Sequence, residues 1–138
     1  TSLEKVNVNL NNKNYTSENG IWYDKNKTKI ILYPYNKKDS AYTTPTSLKE
    51  LCNGYVGSYG ILLDNSNLKT VTIEKNVAKI DDYAIGFVFD FDNYKINKVK
   101  DFTVKGYRGT VAESYAKKNS FNFVALDKNF ADTVNFKT

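Results

Sequence analysis

Apolar and polar positions alternate along the chain in a recurring pattern. The template apolar-x-x-apolar-x-apolar occurs at residues 3–8, 68–73 and 99–104. Side chains alternate between the two faces of a strand, so the last two apolar positions of each copy share one face. The pattern predicts three β-strands that lie side by side in one sheet. Residues 42–44 are expected to form a further strand of that sheet. The core-facing residues should be Leu3, Val6, Val8, Leu68, Val71, Ile73, Val99, Phe102 and Val104.

A longer repeat includes the second of these strands. Residues 42–56 align without gaps to residues 71–85, and the apolar positions coincide, as in the pairs Leu48/Val77 and Leu51/Ile80. Each copy has a strand, a turn, a second short apolar pair and a tight turn. One such unit cannot bury its apolar face alone, so neighbouring units must stack. The sequence therefore predicts a mainly β solenoid with short helices.

Three stretches depart from the repeat. Residues 14–38 predict a β-hairpin insertion with a turn at Asn19-Gly20, and Pro34 should end its last strand. Residues 86–97 are longer than a regular repeat. Residues 106–126 predict a helix followed by a strand, with Thr110 and Glu113 as a capping box. A solenoid needs such an end unit to shield its last open layer.

These boundaries define a single irregular domain. It comprises a first strand unit at 1–13, the hairpin insertion at 14–38, repeats at 39–105, a C-terminal cap at 106–126 and a tail at 127–138. Because Ser2-Leu3 begins inside a repeat strand, we expect either that the chain was cut from a longer protein or that the insertion shields this end.

Composition narrows the function classes. The net charge is +5, but the lysines are scattered among acidic residues, and Arg108 is the only arginine, which argues against a nucleic-acid partner. The chain has no histidine, so the commonest general base and metal ligand are absent, and Cys52 is its only cysteine. Cys52 is expected to be a buried, unreactive thiol. No apolar run approaches the ~20 residues of a membrane span, and no signal peptide is recognisable, so any export signal should lie outside this fragment.

The strand template is the signature of a leucine-rich repeat. Nearly the whole chain resembles the BspA-like leucine-rich repeats of bacterial surface and secreted proteins. Residues 73–85 follow that family's repeat order, with Ile85 where it prefers Phe, and 19–34 and 106–123 are similar to its hairpin and its C-terminal cap. The unit at 39–44 departs from the pattern, since Thr44 stands where Ile is expected. The resemblance implies binding or adhesion at the cell surface or outside the cell, and no catalytic residues.

Candidate ligand contacts come from strand alternation. The residues flanking the buried strand positions should form an exposed sheet face, in which Thr43, Thr72 and Thr103 make a ladder across neighbouring strands. The candidate contacts on this face are Lys5, Thr43, Thr70, Thr72, Asp101 and Thr103. The candidate aromatic contacts are Trp22, Tyr33 and Tyr35; Trp22 is expected to be buried, whereas Tyr33 and Tyr35 could lie at the surface.

Several alternatives remain open. Asp90, Asp92 and Asp64 could supply oxygen ligands for calcium, but their spacing does not match an EF-hand loop, and solvated loop acids are the better interpretation. The adjacent Asp81 and Asp82 make a poor acid–base pair. The hypotheses, in order, are a non-catalytic module that binds protein or glycan, a structural spacer within a longer solenoid, and a hydrolase that uses carboxylates. We expect a monomer without a cofactor, a metal ion or membrane insertion.

Overall fold

The computed structural model describes residues 3–52 and 60–127. This part of the chain is mainly β with one short helix. The elements are β1 (Tyr15–Glu18), β2 (Ile21–Asp24), β3 (Ile30–Leu32), β4 (Ala41–Thr43), β5 (Glu50–Leu51), β6 (Thr70–Thr72), β7 (Lys79–Ile80), β8 (Phe87–Asp90), β9 (Lys95–Lys98), β10 (Thr103–Gly106), α1 (Val111–Lys118) and β11 (Asn122–Ala125).

Two repeat units stack in parallel. In the four-stranded sheet, ordered β11-β10-β6-β4, Tyr42 lies opposite Val71. In the two-stranded sheet β5-β7, Leu51 lies opposite Ile80. Both pairs are separated by the same 29 positions, so the ungapped alignment is confirmed from Tyr42 to Leu51. Residues 53–56 of the first unit lie outside the described residues. Val71 and Leu51 are fully buried, since stacking covers the apolar face that each unit would otherwise expose.

The third templated strand lies in the predicted sheet but in a different register. The template places Phe102 opposite Val71, whereas Val104 occupies that position and Thr103 lies opposite Thr70. A shift of two residues keeps every side chain on its original face, so the apolar pattern cannot distinguish the two registers. Six core predictions are confirmed, because Leu68, Val71, Ile73, Val99, Phe102 and Val104 are buried.

The predicted first strand is wrong. Residues 3–9 form no strand, Leu3 is 36% exposed, and Val6 and Val8 are only half-buried. The segment follows the hairpin insertion instead: the Val6 N–H donates to Gly20 O at 2.8 Å and the Val8 N–H to Ser17 Oγ at 2.9 Å. The alternating pattern of the segment indicates which residues share a face, but it does not select a neighbouring strand. The hydrogen bonds to Gly20 and Ser17 pair its backbone N–H groups instead.

The insertion at 14–38 is an antiparallel meander, β1-β2-β3. Its first turn has positive φ at Asn19 (51°) and Gly20 (78°), which confirms the predicted Asn-Gly turn. The second turn lies against the repeats, where the Lys49 N–H donates to Thr28 O at 2.8 Å. β3 ends at Leu32, two residues before Pro34.

The long stretch after Gly86 contains a second antiparallel hairpin, β8-β9. The chain enters it through Gly86, whose φ is +83°. A Cβ at this position would lie 2.4 Å from Cζ of Phe121, so only glycine lets the hairpin leave the core this close to that ring.

The predicted C-terminal helix and strand are both present, but the predicted capping box at the start of the helix is not. α1 is followed by β11, which extends the sheet in parallel with β10. Thr110 stands at the N-cap position, but its hydroxyl donates to Tyr107 O instead of capping, and Glu113 accepts from the Gly109 N–H. The helix buries Ala112, Tyr115 and Ala116, while Val111 is half-buried. The predicted tail lies outside the described residues except for Asp127.

Candidate functional site

The outward side of the four-stranded sheet forms a continuous polar surface, which we call the outer sheet face. One row across the strands is Ala41, Thr70, Thr103 and Asn122, and the next is Thr43, Thr72, Lys105 and Val124. All eight side chains are exposed or half-buried. Within the described residues, none of their polar groups has an intramolecular hydrogen bond or ion pair. The face therefore offers hydroxyls, an amide and an ammonium to a ligand.

The predicted ladder is only partly present. Thr43 and Thr72 are cross-strand neighbours as expected, but Thr103 lies beside Thr70, and Lys105 occupies the place predicted for Thr103. Lys105 was missed because the template fixed the wrong one of two equivalent registers.

Two other predicted contacts lie off the strands of the outer sheet face. Asp101 is exposed in the loop before β10, with φ +59°. Lys5 is exposed beside the first turn of the meander, where its Cβ lies 2.9 Å from the position that a Gly20 Cβ would occupy. The prediction that Lys5 belongs to the sheet face fails together with the first strand.

The three candidate aromatic contacts are largely withdrawn from the surface. Tyr33 is fully buried, so its proposed role as a surface contact is wrong: β3 and Pro34 direct the ring inward, where it meets Tyr42 edge-on at 5.5 Å. Trp22 is half-buried against Tyr15 at 5.4 Å, so its expected burial is only partly met, and Tyr35 is half-buried.

The buried meander rings carry hydroxyls. The hydroxyls of Tyr23 and Tyr42 lie 2.6 Å apart in the interior, linking the meander to the sheet. Burial raises the pKa of Tyr23 to about 12 and raises that of Tyr42 well above 10. The Tyr33 hydroxyl, also buried, has no hydrogen-bond partner among the described residues. These groups stay neutral at physiological pH and fasten the meander to the repeats.

An exposed aromatic cluster lies in the long stretch that the sequence analysis left without candidate contacts. On the β8-β9 hairpin, Phe91 is 66% and Tyr94 is 75% exposed, and both pack edge-on against Phe89, at 4.9 and 5.3 Å. The signal in the sequence is Phe-Val-Phe-Asp-Phe before Asp-Asn, an alternating strand running into a turn. Exposed apolar clusters of this kind commonly mark interaction sites.

A pocket lies at the base of this hairpin. Its volume is about 370 Å³, and it is bounded by the loops before β10 and before β11. Its lining comprises Lys98, Val99, Lys100, Asp101, Phe102, Ser120, Phe121 and Asn122. Asp101 and Asn122 bring it to the edge of the outer sheet face.

The acidic residues Asp90, Asp64 and Asp82 have structural partners. The Asp90 carboxylate accepts from the Asn93 side-chain amide and from the backbone N–H groups of Asn93 and Asp92, and these hydrogen bonds lower its pKa. Asp64 accepts from the Phe89 N–H, and burial raises its pKa. Asp82 pairs with Lys118 at 2.8 Å, although both are exposed. In residues 3–52 and 60–127, no three acidic, histidine or cysteine residues converge as metal ligands.

The single cysteine is half-buried. Burial, with a smaller effect from the carboxylates of Glu50 and Asp81, raises the pKa of the Cys52 thiol to about 11. A thiol in this environment is poorly nucleophilic at neutral pH, which agrees with the predicted lack of reactivity. Among the described residues, no helix has the length and apolar character of a membrane span.

Two solved structures are similar to this chain. A leucine-rich repeat protein from Eubacterium ventriosum is 26% identical, with a TM-score of 0.41; the match covers 77% of this chain and 30% of that one. The pneumococcal vaccine antigen PcpA is 15% identical, with a TM-score of 0.34, and the match covers 91% of this chain and 51% of that one. This chain thus spans about a third and about half of these proteins. No protein-family model and no curated protein matches the sequence.

Proposed function

We propose that this chain is a non-catalytic leucine-rich-repeat module that binds a protein partner through its outer sheet face, at the cell surface or outside the cell. The observation that carries the proposal is the row Thr43, Thr72, Lys105 and Val124, whose polar groups have no partner within the described structure. Parallel strands about 4.8 Å apart turn single outward residues into a continuous surface.

The chemistry of this face favours a protein over a sugar. It presents hydroxyls, an amide, one ammonium and small apolar groups, and it has no aromatic ring on which a sugar could stack. Surfaces of this mixed polarity are typical of non-obligate protein interfaces. The localisation follows from the resemblance of the repeats to those of bacterial surface proteins.

The test begins with an array of extracellular proteins and glycans, and a partner found there is titrated against two matched variants. Thr72→Arg places a long charged side chain at the centre of the face, and Thr46→Arg makes the same change at an exposed loop position. We expect Thr72→Arg to weaken binding at least tenfold, about 1.4 kcal/mol, with Thr46→Arg unchanged. Equal affinities of both variants and the wild type would show that the partner does not use this face.

Catalytic inertness is the second part of the proposal. The sequence has no histidine, and several acidic residues have structural partners: Asp90 caps a turn and Asp82 pairs with a lysine. Purified protein should show no turnover of glycosides, peptides or esters above a mock preparation. Turnover that a single Asp or Glu substitution abolishes would overturn this conclusion.

A structural spacer is the alternative that one observation favours. β4 is an edge strand of the four-stranded sheet, and no described residue pairs with its outer side. A further repeat could add there. In that case the array would yield no partner. A Thr43→Pro variant, which removes an N–H from this edge, would keep the stability of this chain but would prevent the strand of a further repeat from pairing with β4.

A further inference from the structure

The pocket at the base of the β8-β9 hairpin combines a buried apolar floor with a polar rim. Its floor is formed by Phe102 and Phe121, which are 2% and 8% exposed. The loops on its two sides turn through positive φ at Asp101 (59°) and Ser120 (58°). Pockets of a few hundred Å³ with a few convergent polar groups are typical small-ligand sites.

The charges on the rim are available to a ligand. Lys98 Nζ lies 4.9 Å from the centre of the Phe121 ring and 3.4 Å from Ser120 O, which fixes its ammonium at the pocket. Lys100 and Asp101 are exposed, and neither side chain has an ion pair or hydrogen bond within the described residues. Two ammonium groups and one carboxylate give the rim a net charge of +1.

The apolar face of the hairpin continues directly from this pocket. Phe87 and Lys98 are cross-strand neighbours, and both contact the ring of Phe121. Further out, Phe89 pairs with Ile96 on the same face, because alternate residues of a strand share a face. The exposed rings of Phe91 and Tyr94 then extend that face to the tip of the hairpin.

We propose that this pocket and the hairpin face together bind an acidic oligosaccharide. The carboxylate of one sugar pairs with Lys98 and Lys100, while vicinal hydroxyls of the same ring donate to Asp101, since an ionised carboxylate can accept two hydrogen bonds. Neighbouring rings of the sugar chain lie against Phe91 and Tyr94. A purely apolar partner would leave the three charges of the rim desolvated and unpaired, which is costly.

This site differs from the protein-binding surface of the proposed function in both position and chemistry. The pocket meets the outer sheet face at Asn122, whereas the test of that face acts at Thr72 on β6. Failure of one test therefore leaves the other intact.

In the experiment the protein is titrated with tetragalacturonic acid and, separately, with its methyl ester. Binding is measured by calorimetry and by the amide chemical shifts of the protein. We expect the acid to bind with a dissociation constant of about 1 mM or below, and the ester, which lacks the charge, to bind about fivefold more weakly. The amide shifts should concentrate on residues 98–101, 120–122 and the hairpin.

Variants separate the pocket from nonspecific attraction. Lys100→Gln should weaken the acid about fivefold, whereas Lys95→Gln, the same charge change on the opposite face of the hairpin, should leave binding within twofold. Tyr94→Ala alters an exposed ring and should weaken acid and ester alike, with an unchanged circular dichroism spectrum.

Three results would overturn the proposal. One is no binding of either oligosaccharide up to about 5 mM. Another is an equal loss with Lys95→Gln and Lys100→Gln, which would mean that only net charge matters. The last is wild-type self-association, seen by ultracentrifugation, that Tyr94→Ala abolishes, because the hairpin face would then be an interface between copies of this chain.

Discussion

Truncation of Val71 tests the stacked sheet. Val71 lies at the middle of β6, fully buried, between Tyr42 on one neighbouring strand and Val104 on the other. Val71→Ala removes two methyl groups, each worth about 0.8 kcal/mol of burial. The cavity left between the flanking strands adds to this, because close-packed neighbours relax only in part. We therefore expect a loss of about 2 to 3 kcal/mol in the free energy of unfolding.

Urea unfolding followed by circular dichroism measures this loss. With a slope of about 2 kcal/mol/M, the midpoint should fall by about 1 to 1.5 M while the slope stays unchanged. Val124→Ala is the matched control: it removes the same atoms from β11, but there the side chain points outward and is 45% exposed. Its cost should stay below about 0.5 kcal/mol. Equal losses from the two variants would refute the assignment of inner and outer faces.

Three further predictions test the hairpin entry, the tyrosine pair and the thiol. Gly109→Ala (φ +77°) should lower the free energy of unfolding by about 1 kcal/mol. Gly86→Ala (φ +83°) should lower it by at least about 2 kcal/mol more, since its Cβ would clash with the Phe121 ring. Equal falls in Tm would contradict this. Unfolded tyrosine ionises near pH 10, whereas folding raises the pKa of Tyr23 to about 12 and that of Tyr42 as well. The stability that these two tyrosines contribute should therefore be constant below about pH 10 and decline towards pH 12. A folded-state ultraviolet titration in which every tyrosine ionises near pH 10 would disprove this. Cys52, whose pKa burial raises to about 11, should react with an aromatic disulfide at pH 8 about tenfold more slowly than a free thiol, and an equal rate would contradict the assignment.

Much of the repeat core could be predicted because it depends on local pattern. The alignment of residues 42–56 with 71–85 gave the register of β4 on β6 and of β5 on β7, since equal spacing between units places equivalent residues opposite each other. The turn at Asn19-Gly20 and the C-terminal helix were equally local. The turn and the helix are each specified by a few neighbouring residues, and the register by the constant spacing of the two units.

The failures concern choices that a local pattern leaves open. The register of β10 was wrong by two residues because Phe102 and Val104 are both apolar and lie on the same face. The segment 3–8 alternates like a strand, yet nothing in it selects a partner, and its backbone bonds to the meander. Thr103 was consequently assigned to the wrong row, Lys105 was missed, and Lys5 was wrongly placed on the binding face.

The contrast between the two β insertions shows why the aromatic site was missed. Both are rich in rings, but β2 and β3 of the meander lie against the sheet, so that Tyr23 meets the hydroxyl of Tyr42 in the interior. The β8-β9 hairpin is anchored near its base, where Phe87 meets Phe121 and the Phe89 N–H donates to Asp64, whereas the rings of Phe91 and Tyr94 at its tip are exposed. Ring count and alternation are alike in the two cases, whereas the point at which each insertion leaves the repeats differs. A ligand that covers exposed rings removes apolar surface from water, which stabilises the complex. The hairpin is therefore a better binding site than the meander for a partner with apolar faces of its own.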